Sequence, residues 1–124
     1  MRRWDIWKLD AFRRAYALSL QLHRETHRFP KTEQYGGVAD QLRRASKSVC
    51  ALIAEGAGRQ KGSDAEFRRY LIMAIGSLEE SKLWCRYARD LGFVEKAACE
   101  AWMDEFSQIA RMLQALVNRL SSEN

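Results

Sequence analysis

The sequence predicts an all-α protein folded as an antiparallel, up-down-up-down four-helix bundle, on three observations. Apolar residues recur at helical spacing over four long stretches, with no alternating run long enough to suggest a strand. The single proline, Pro30, and six of the seven glycines fall at the breaks between those stretches: Gly36 with Gly37, Gly56 with Gly58, Gly62, and Gly92. The connections left between them are short, which makes successive helices antiparallel neighbours. At 124 residues the chain is the size of one domain, 1–124, large enough to bury a helical core without disulfides or a structural metal.

The first helix is expected from Trp7 to His27, with Phe12, Ala15, Leu18, Ser19 and Leu22 on its core face and Phe29-Pro30 ending it. The second begins between Tyr35 and Val38, carries Val38, Leu42, Ala45, Val49, Leu52 and Ile53, and stops at Gly56. Ser63-Asp64-Ala65-Glu66 has the form of a capping box and opens a third helix with the stripe Phe67, Leu71, Ala74, Leu78, Ser81 and Cys85. Gly92 supplies the left-handed residue that ends it. The fourth helix spans Glu95 to Leu120, with Ala98, Trp102, Phe106, Ile109, Leu113, Leu116 and Leu120 inward. On the third helix Ile72, Gly76 and Leu83 form a second apolar line displaced from the core stripe, with Met73 also outward. A glycine in mid-helix costs about 1 kcal/mol relative to alanine, so Gly76 suggests the close approach of another backbone and the chain is expected to be a homo-oligomer.

Composition narrows the classes. With 47% hydrophobic and 30% charged residues the chain is globular, neither disordered nor membrane-like. Its longest apolar runs, Val49 to Ala54 and Leu71 to Ile75, fall far short of the roughly 20 residues that cross a bilayer. The charged N-terminus lacks the apolar region of a secretory signal, and Cys50, Cys85 and Cys99 form no C-x-x-C pair. A cytoplasmic protein with reduced core thiols is expected.

No catalytic pattern is present. His23 and His27 stand one turn apart, the spacing of zinc-binding helices, but Arg24 follows the first histidine where a metalloprotease has glutamate. Solvated or interface histidines are expected there, with no metal and no cofactor. No histidine lies three residues after a glutamate, so the di-iron bundle motif is missing. Glu55, Glu79 and Glu80 are expected to pair with Arg43 or Arg44 rather than to act as acids or bases. The segment Gly56-Ala57-Gly58-Arg59-Gln60-Lys61-Gly62 lacks the ending of a P-loop and serves first to reverse the chain.

Charge is the more informative pattern. Residues 1–62 hold 13 Lys and Arg against 6 Asp and Glu, whereas residues 63–124 hold 8 against 10. The basic excess is confined to the first half. Arg13, Arg24 and Arg28 fall on one side of the first helix, and Arg44 and Lys47 lie away from the core on the second. Such a face would attract phosphate backbones without reading sequence; equally, it would complement an acidic fourth helix in a neighbouring subunit.

Gln41-Leu42-Arg43-Arg44-Ala45, Ser48-Val49, Ile53-Ala54-Glu55-Gly56 and Gly58-Arg59 resemble the central signature of the bacterial four-helix-bundle family first noticed in intervening sequences of 23S ribosomal RNA genes. Phe29-Pro30, Tyr35-Gly36, Glu66-Phe67, Tyr70-Leu71, Gly76-Ser77-Leu78-Glu79-Glu80 and Leu91-Gly92-Phe93 extend the likeness over most of the chain. Cys50 and Leu52 depart from it, standing where the family often has proline and asparagine, so no role of that asparagine carries over.

The resemblance implies an antiparallel four-helix subunit, often a ring-like pentamer, with no known enzymatic activity. It also implies kinship to the accessory variability proteins of diversity-generating retroelements, basic pentameric bundles that bind nucleic acid and a reverse transcriptase. On that reading Arg43, Arg44, Glu55, Gly56, Ile72, Gly76, Ser77, Glu79 and Leu83 hold helices and subunits together, and nucleic-acid contacts fall to Arg13, Arg24, Arg28, Lys47, Arg59 and Lys61. The leading expectation is an oligomeric module binding RNA or DNA; the alternative is a scaffold that binds a protein partner without nucleic acid.

Overall fold

The computed structural model describes residues 4–59 and 64–123, which form four α-helices and no strand: α1 (Asp10–Glu25), α2 (Val38–Gly58), α3 (Ala65–Asp90) and α4 (Lys96–Glu123). Each helix packs against the two that adjoin it around a square, α1 on α2, α2 on α3, α3 on α4 and α4 back on α1, with no close backbone approach along the diagonals. Short connections and this closed order make the up-down-up-down bundle expected from the sequence. None of the described helices is long and apolar enough to cross a membrane.

The core is the set of inward stripes. Phe12, Leu18, Leu22, Leu42, Val49, Ile53, Phe67, Leu71, Leu78, Phe106, Ile109 and Leu113 are all buried in one cluster. In α4 the stripe settles one residue away from expectation at two positions: Cys99 and Val117 are buried, whereas Ala98 and Leu116 are only half-buried, and Leu120 is buried as expected. Leu52 in α2 is likewise half-buried. A stripe written in steps of three and four drifts relative to a 3.6-residue turn, and packing selects which neighbour faces the centre.

Helix ends differ from the sequence expectation where side chains intervene. The expected single helix from Trp7 to His27 is broken: the Asp5 carboxylate accepts from the backbone N–H of Trp7 at 3.1 Å and starts a separate 3₁₀ turn over Ile6–Lys8, and Leu9 is extended before α1 begins. A second 3₁₀ turn, Thr26–Arg28, replaces the last turn of that helix. At the other end of α2, Gly56 does not stop the helix, which runs on to Gly58. Gly56 is instead a packing position: a methyl there would lie 2.5 Å from Tyr70 Cβ and 3.2 Å from Phe67 Cδ1. The Ser63 half of the expected capping box lies outside the described residues, and the Glu66 half accepts from Arg69 Nε at 2.8 Å. Gly92 behaves as expected, with φ of 81°. The N–H of Phe93 bonds Ala88 O at 2.8 Å and that of Gly92 bonds Arg89 O at 3.0 Å, the paired bonds of a Schellman motif.

Candidate functional site

The chain from His23 to Arg43 builds a concavity lined by cations and imidazoles. The α1–α2 connection, which holds 3₁₀ turns over Thr26–Arg28 and Lys31–Glu33, is stitched together by side chains. Gln34 Nε2 donates to the carbonyls of Thr26 and Phe29 at 2.8 and 3.0 Å, and buried Phe29 packs 5.7 Å from the Phe93 ring. Arg43 completes the stitch, donating to Thr26 Oγ1, Gln34 Oε1 and the Gln34 carbonyl at 3.0, 2.9 and 2.9 Å. All three acceptors are neutral, so the guanidinium is held rigidly without an ion pair, and Asp40 feels its charge from a distance.

Beside it, His23, His27, Lys31, Gln34, Tyr35 and Arg43 line a hollow of about 480 Å³. The two imidazoles meet edge to face with ring centroids 5.0 Å apart. Lys47 Nζ lies 3.0 Å from His23 Nδ1, and because an ammonium can only donate, Nδ1 accepts. The Lys47 charge, with smaller contributions from burial, His27, Arg43 and Arg24, pushes the His23 pKa below the ordinary imidazole value of 6.5. The ring is therefore neutral at neutral pH.

The nearby carboxylates are committed elsewhere. Glu33 Oε1 accepts from Val38 N at 2.7 Å and caps α2. Asp40 accepts from Gly36 N at 2.7 Å and pairs with Arg44 at 3.0 Å, and the first of these bonds chiefly holds its carboxyl below the usual range. Glu25 pairs with Arg28 at 3.5 Å.

The sequence-predicted cations thus separate into two groups. Arg13 is paired with Asp10 and donates to the Trp7 carbonyl at 2.7 Å, Arg28 is paired with Glu25, and Arg59 is paired with Glu55 at 3.2 Å. Arg24 and Lys47 form no ion pair with a described residue and lie on the basic end, where Lys31 and Arg43 join them. Lys61 lies outside the described residues. Lys31, Tyr35 and the two histidines are not predicted as one site by the sequence; the available signal is an aromatic set against Gly36-Gly37 within a basic stretch.

The residues expected to hold helices together are also divided. Ser48 and Ser77 hydroxyls lie 3.1 Å apart and join α2 to α3, and Glu55 Oε2 accepts from Tyr70 Oη at 3.3 Å across the same seam. The expected pairing of the glutamates with Arg43 or Arg44 is not found. Glu55 pairs with Arg59, Glu79 with Lys82 at 3.1 Å, and Glu80 accepts from Trp84 Nε1 at 3.0 Å, because partners one turn away on the same helix reach first. Arg44 bonds only within its own helix. A methyl at Gly76 would meet no neighbouring group within 4 Å, so the close approach expected there is not made by any described part of this chain. Ile72 and Leu83 on the same line are each 50% exposed, and Tyr87 extends it.

A seam that sequence patterns do not reveal joins α1 to α4. Arg14 donates to both Glu105 oxygens, at 2.9 and 2.5 Å, and to Gln108 Oε1 at 2.8 Å, beside an open groove of about 450 Å³. The charges there cancel. The three cysteines carry free thiols; burial pushes Cys50 up to about 11 and raises Cys85 and Cys99 as well, so none is an available thiolate. No group of three or more His, Cys, Asp or Glu side chains that could hold a metal ion occurs among the described residues.

Comparison with known proteins agrees with the architecture. The model of the 23S rRNA-intervening sequence protein family matches residues 7–115. Among solved structures, a protein of unknown function from the S23 ribosomal protein family of Bacteroides thetaiotaomicron superposes with a TM-score of 0.77 at 15% identity, covering 87% of this chain and 95% of that one. At that identity the likeness is one of fold. No curated protein matches the chain significantly.

Proposed function

The chain belongs to the 23S rRNA-intervening sequence protein family, and on that premise we propose that it is a non-catalytic, oligomeric binding module whose basic α1–α2 end engages the phosphate backbone of RNA or DNA in the cytoplasm. The observation that carries this reading is that Lys31 and Arg43 line one concavity with His23 and His27, that Lys47 and Arg24 stand beside His23, and that none of these four cations forms an ion pair with a described carboxylate, while Glu25, Glu33 and Asp40 nearby are spent on caps and local pairs. Cations in that state gain most from a phosphate, which replaces no existing ion pair and releases condensed counterions. Free thiols suit a reducing compartment.

Assembly is the second part of the reading. The half-exposed line of Ile72, Leu83 and Tyr87 around Gly76 suits a second copy of the chain, and the family resemblance suggests a ring of five. The same line favours the alternative reading, a scaffold for a protein partner such as a reverse transcriptase.

Fluorescence anisotropy with labelled RNA and DNA across a salt series tests the proposal. Wild-type affinity should fall steeply with salt, and Arg24→Glu/Lys47→Glu should weaken it at least about tenfold and flatten the salt slope by about one for each phosphate no longer neutralised. Arg13→Glu/Arg28→Glu should do less, since both arginines already have carboxylate partners. No wild-type binding even at low salt would leave the basic end to the scaffold reading.

A further inference from the structure

The hollow differs from an ordinary basic surface in three respects. It is concave, and its size falls within the roughly 300–1,000 Å³ of small-molecule sites. The donors in and beside it divide into fixed and movable groups: Arg43 is locked by Thr26 and Gln34, whereas Lys31 in its lining and Lys47 against His23 at its edge are exposed residues that can close on an anion. At its edge stands Tyr35, 93% exposed, just before Gly36 in a left-handed conformation (φ of 79°). An aromatic ring left this open contributes almost nothing to the core. Against a cationic pocket, a bare ring is the pairing that binds unpaired nucleotides, because a base offers its face only outside a duplex.

We infer that this hollow seats one unpaired nucleotide of a strand, with its phosphate among Lys31, Lys47 and the two imidazoles and its base on the Tyr35 ring. The inference rests on the nucleic-acid reading above and adds that the preferred ligand is single-stranded. It also gives the site a direction of pH dependence. The groups acting on His23 are Lys47 and Arg43 from α2, Arg24 from α1 and His27 from the following turn, all cationic or neutral. An arriving phosphate offsets that field and favours the imidazolium, whose Nδ1 then turns from acceptor for Lys47 to donor for the phosphate. Binding takes up a proton, so affinity rises as the pH falls.

The test is anisotropy on the full-length chain at one low salt concentration, with a short unstructured RNA, its DNA equivalent, and a blunt hairpin duplex of the same charge. Tyr35→Ala, at a position too exposed to support the fold, should weaken both unpaired strands by about tenfold and leave the duplex unchanged, while Tyr35→Phe should bind as wild type. Wild-type affinity for the unpaired strands should increase between about pH 8 and about pH 6, and His23→Gln should flatten that increase. Equal strand and duplex binding by Tyr35→Ala and wild type overturns the inference; if Arg24→Glu/Lys47→Glu is still impaired, the basic-end reading survives alone. Failure of the wild type to bind any of the three overturns both.

Discussion

Along its inner face α3 meets a helix cut back to receive it: α2 presents Gly56, and Tyr70 and Phe67 of α3 press into the space a methyl would fill. Along its outer face α3 carries its own glycine, Gly76, with nothing within 4 Å and half-exposed Ile72 and Leu83 on either side. Both glycines lie inside helices, where each costs about 1 kcal/mol relative to alanine. At Gly56 the close approach of two helices and the burial of an aromatic pair offset the cost. At Gly76 nothing in the described chain does, and the proposed assembly face is where that cost would be offset.

The contrast can be broken from its inner side first. Gly56→Leu should force α2 away from α3 and lower stability by about 3 kcal/mol, at the upper end of overpacking costs, read as a lower urea midpoint at unchanged slope. On the outer side, Ile72→Lys/Leu83→Lys should leave the stability of the subunit within about 0.5 kcal/mol but weaken self-association at least about tenfold, measured by sedimentation velocity across a concentration series. An unchanged mass distribution would put the subunit contact elsewhere. Gly76→Ala sharpens the same point: under conditions where the chain is monomeric it should gain up to about 1 kcal/mol, and a loss of assembly alongside that gain would show that a second backbone sits there.

The smallest effect belongs to the α1–α4 seam, where polar groups replace the close packing of α2 on α3. The Arg14 hydrogen bond, foremost, holds the Glu105 carboxyl below its ordinary value of 4.5. A carboxyl whose folded-state pKa is lowered stabilises the fold fully above its unfolded value and loses that contribution as the pH falls through the folded one. Both side chains are about one-third exposed, so Glu105→Gln should cost only about 0.5 kcal/mol at neutral pH. The difference between variant and wild type should vanish in acid, as denaturant melts below pH 4.5 would show.

Much of the fold is legible in the sequence because its determinants are local. Phe12, Leu42, Leu71 and Phe106 announce inward stripes by their spacing, and Gly92 announces a helix end through a backbone conformation that favours glycine. Gly56, which its position suggests as a stop, is instead the site of a close helix approach, and Gly76, which suggests a close approach, meets no other described part of this chain. A glycine's local meaning is only permission; which helix uses it depends on the neighbour that arrives. The basic site is half legible. The charge asymmetry locates it in the first two helices, but carboxylates one turn away pair with Arg13, Arg28 and Arg59, whereas Arg43 is held by three neutral acceptors and forms no ion pair.

The sequence by itself determined the helix number, the order in which the helices alternate, the apolar faces and the half of the chain that carries the positive charge, because period and composition are properties of neighbouring residues. Only the tertiary structure decided that Arg14 reaches Glu105 across 91 positions, that Lys47 lies against His23, and that Tyr35 and Lys31 share one hollow with the two histidines and Arg43. Contacts between residues distant in the chain depend on how the helices rotate about their axes when the core closes, and that rotation is set by the packing of all four stripes together.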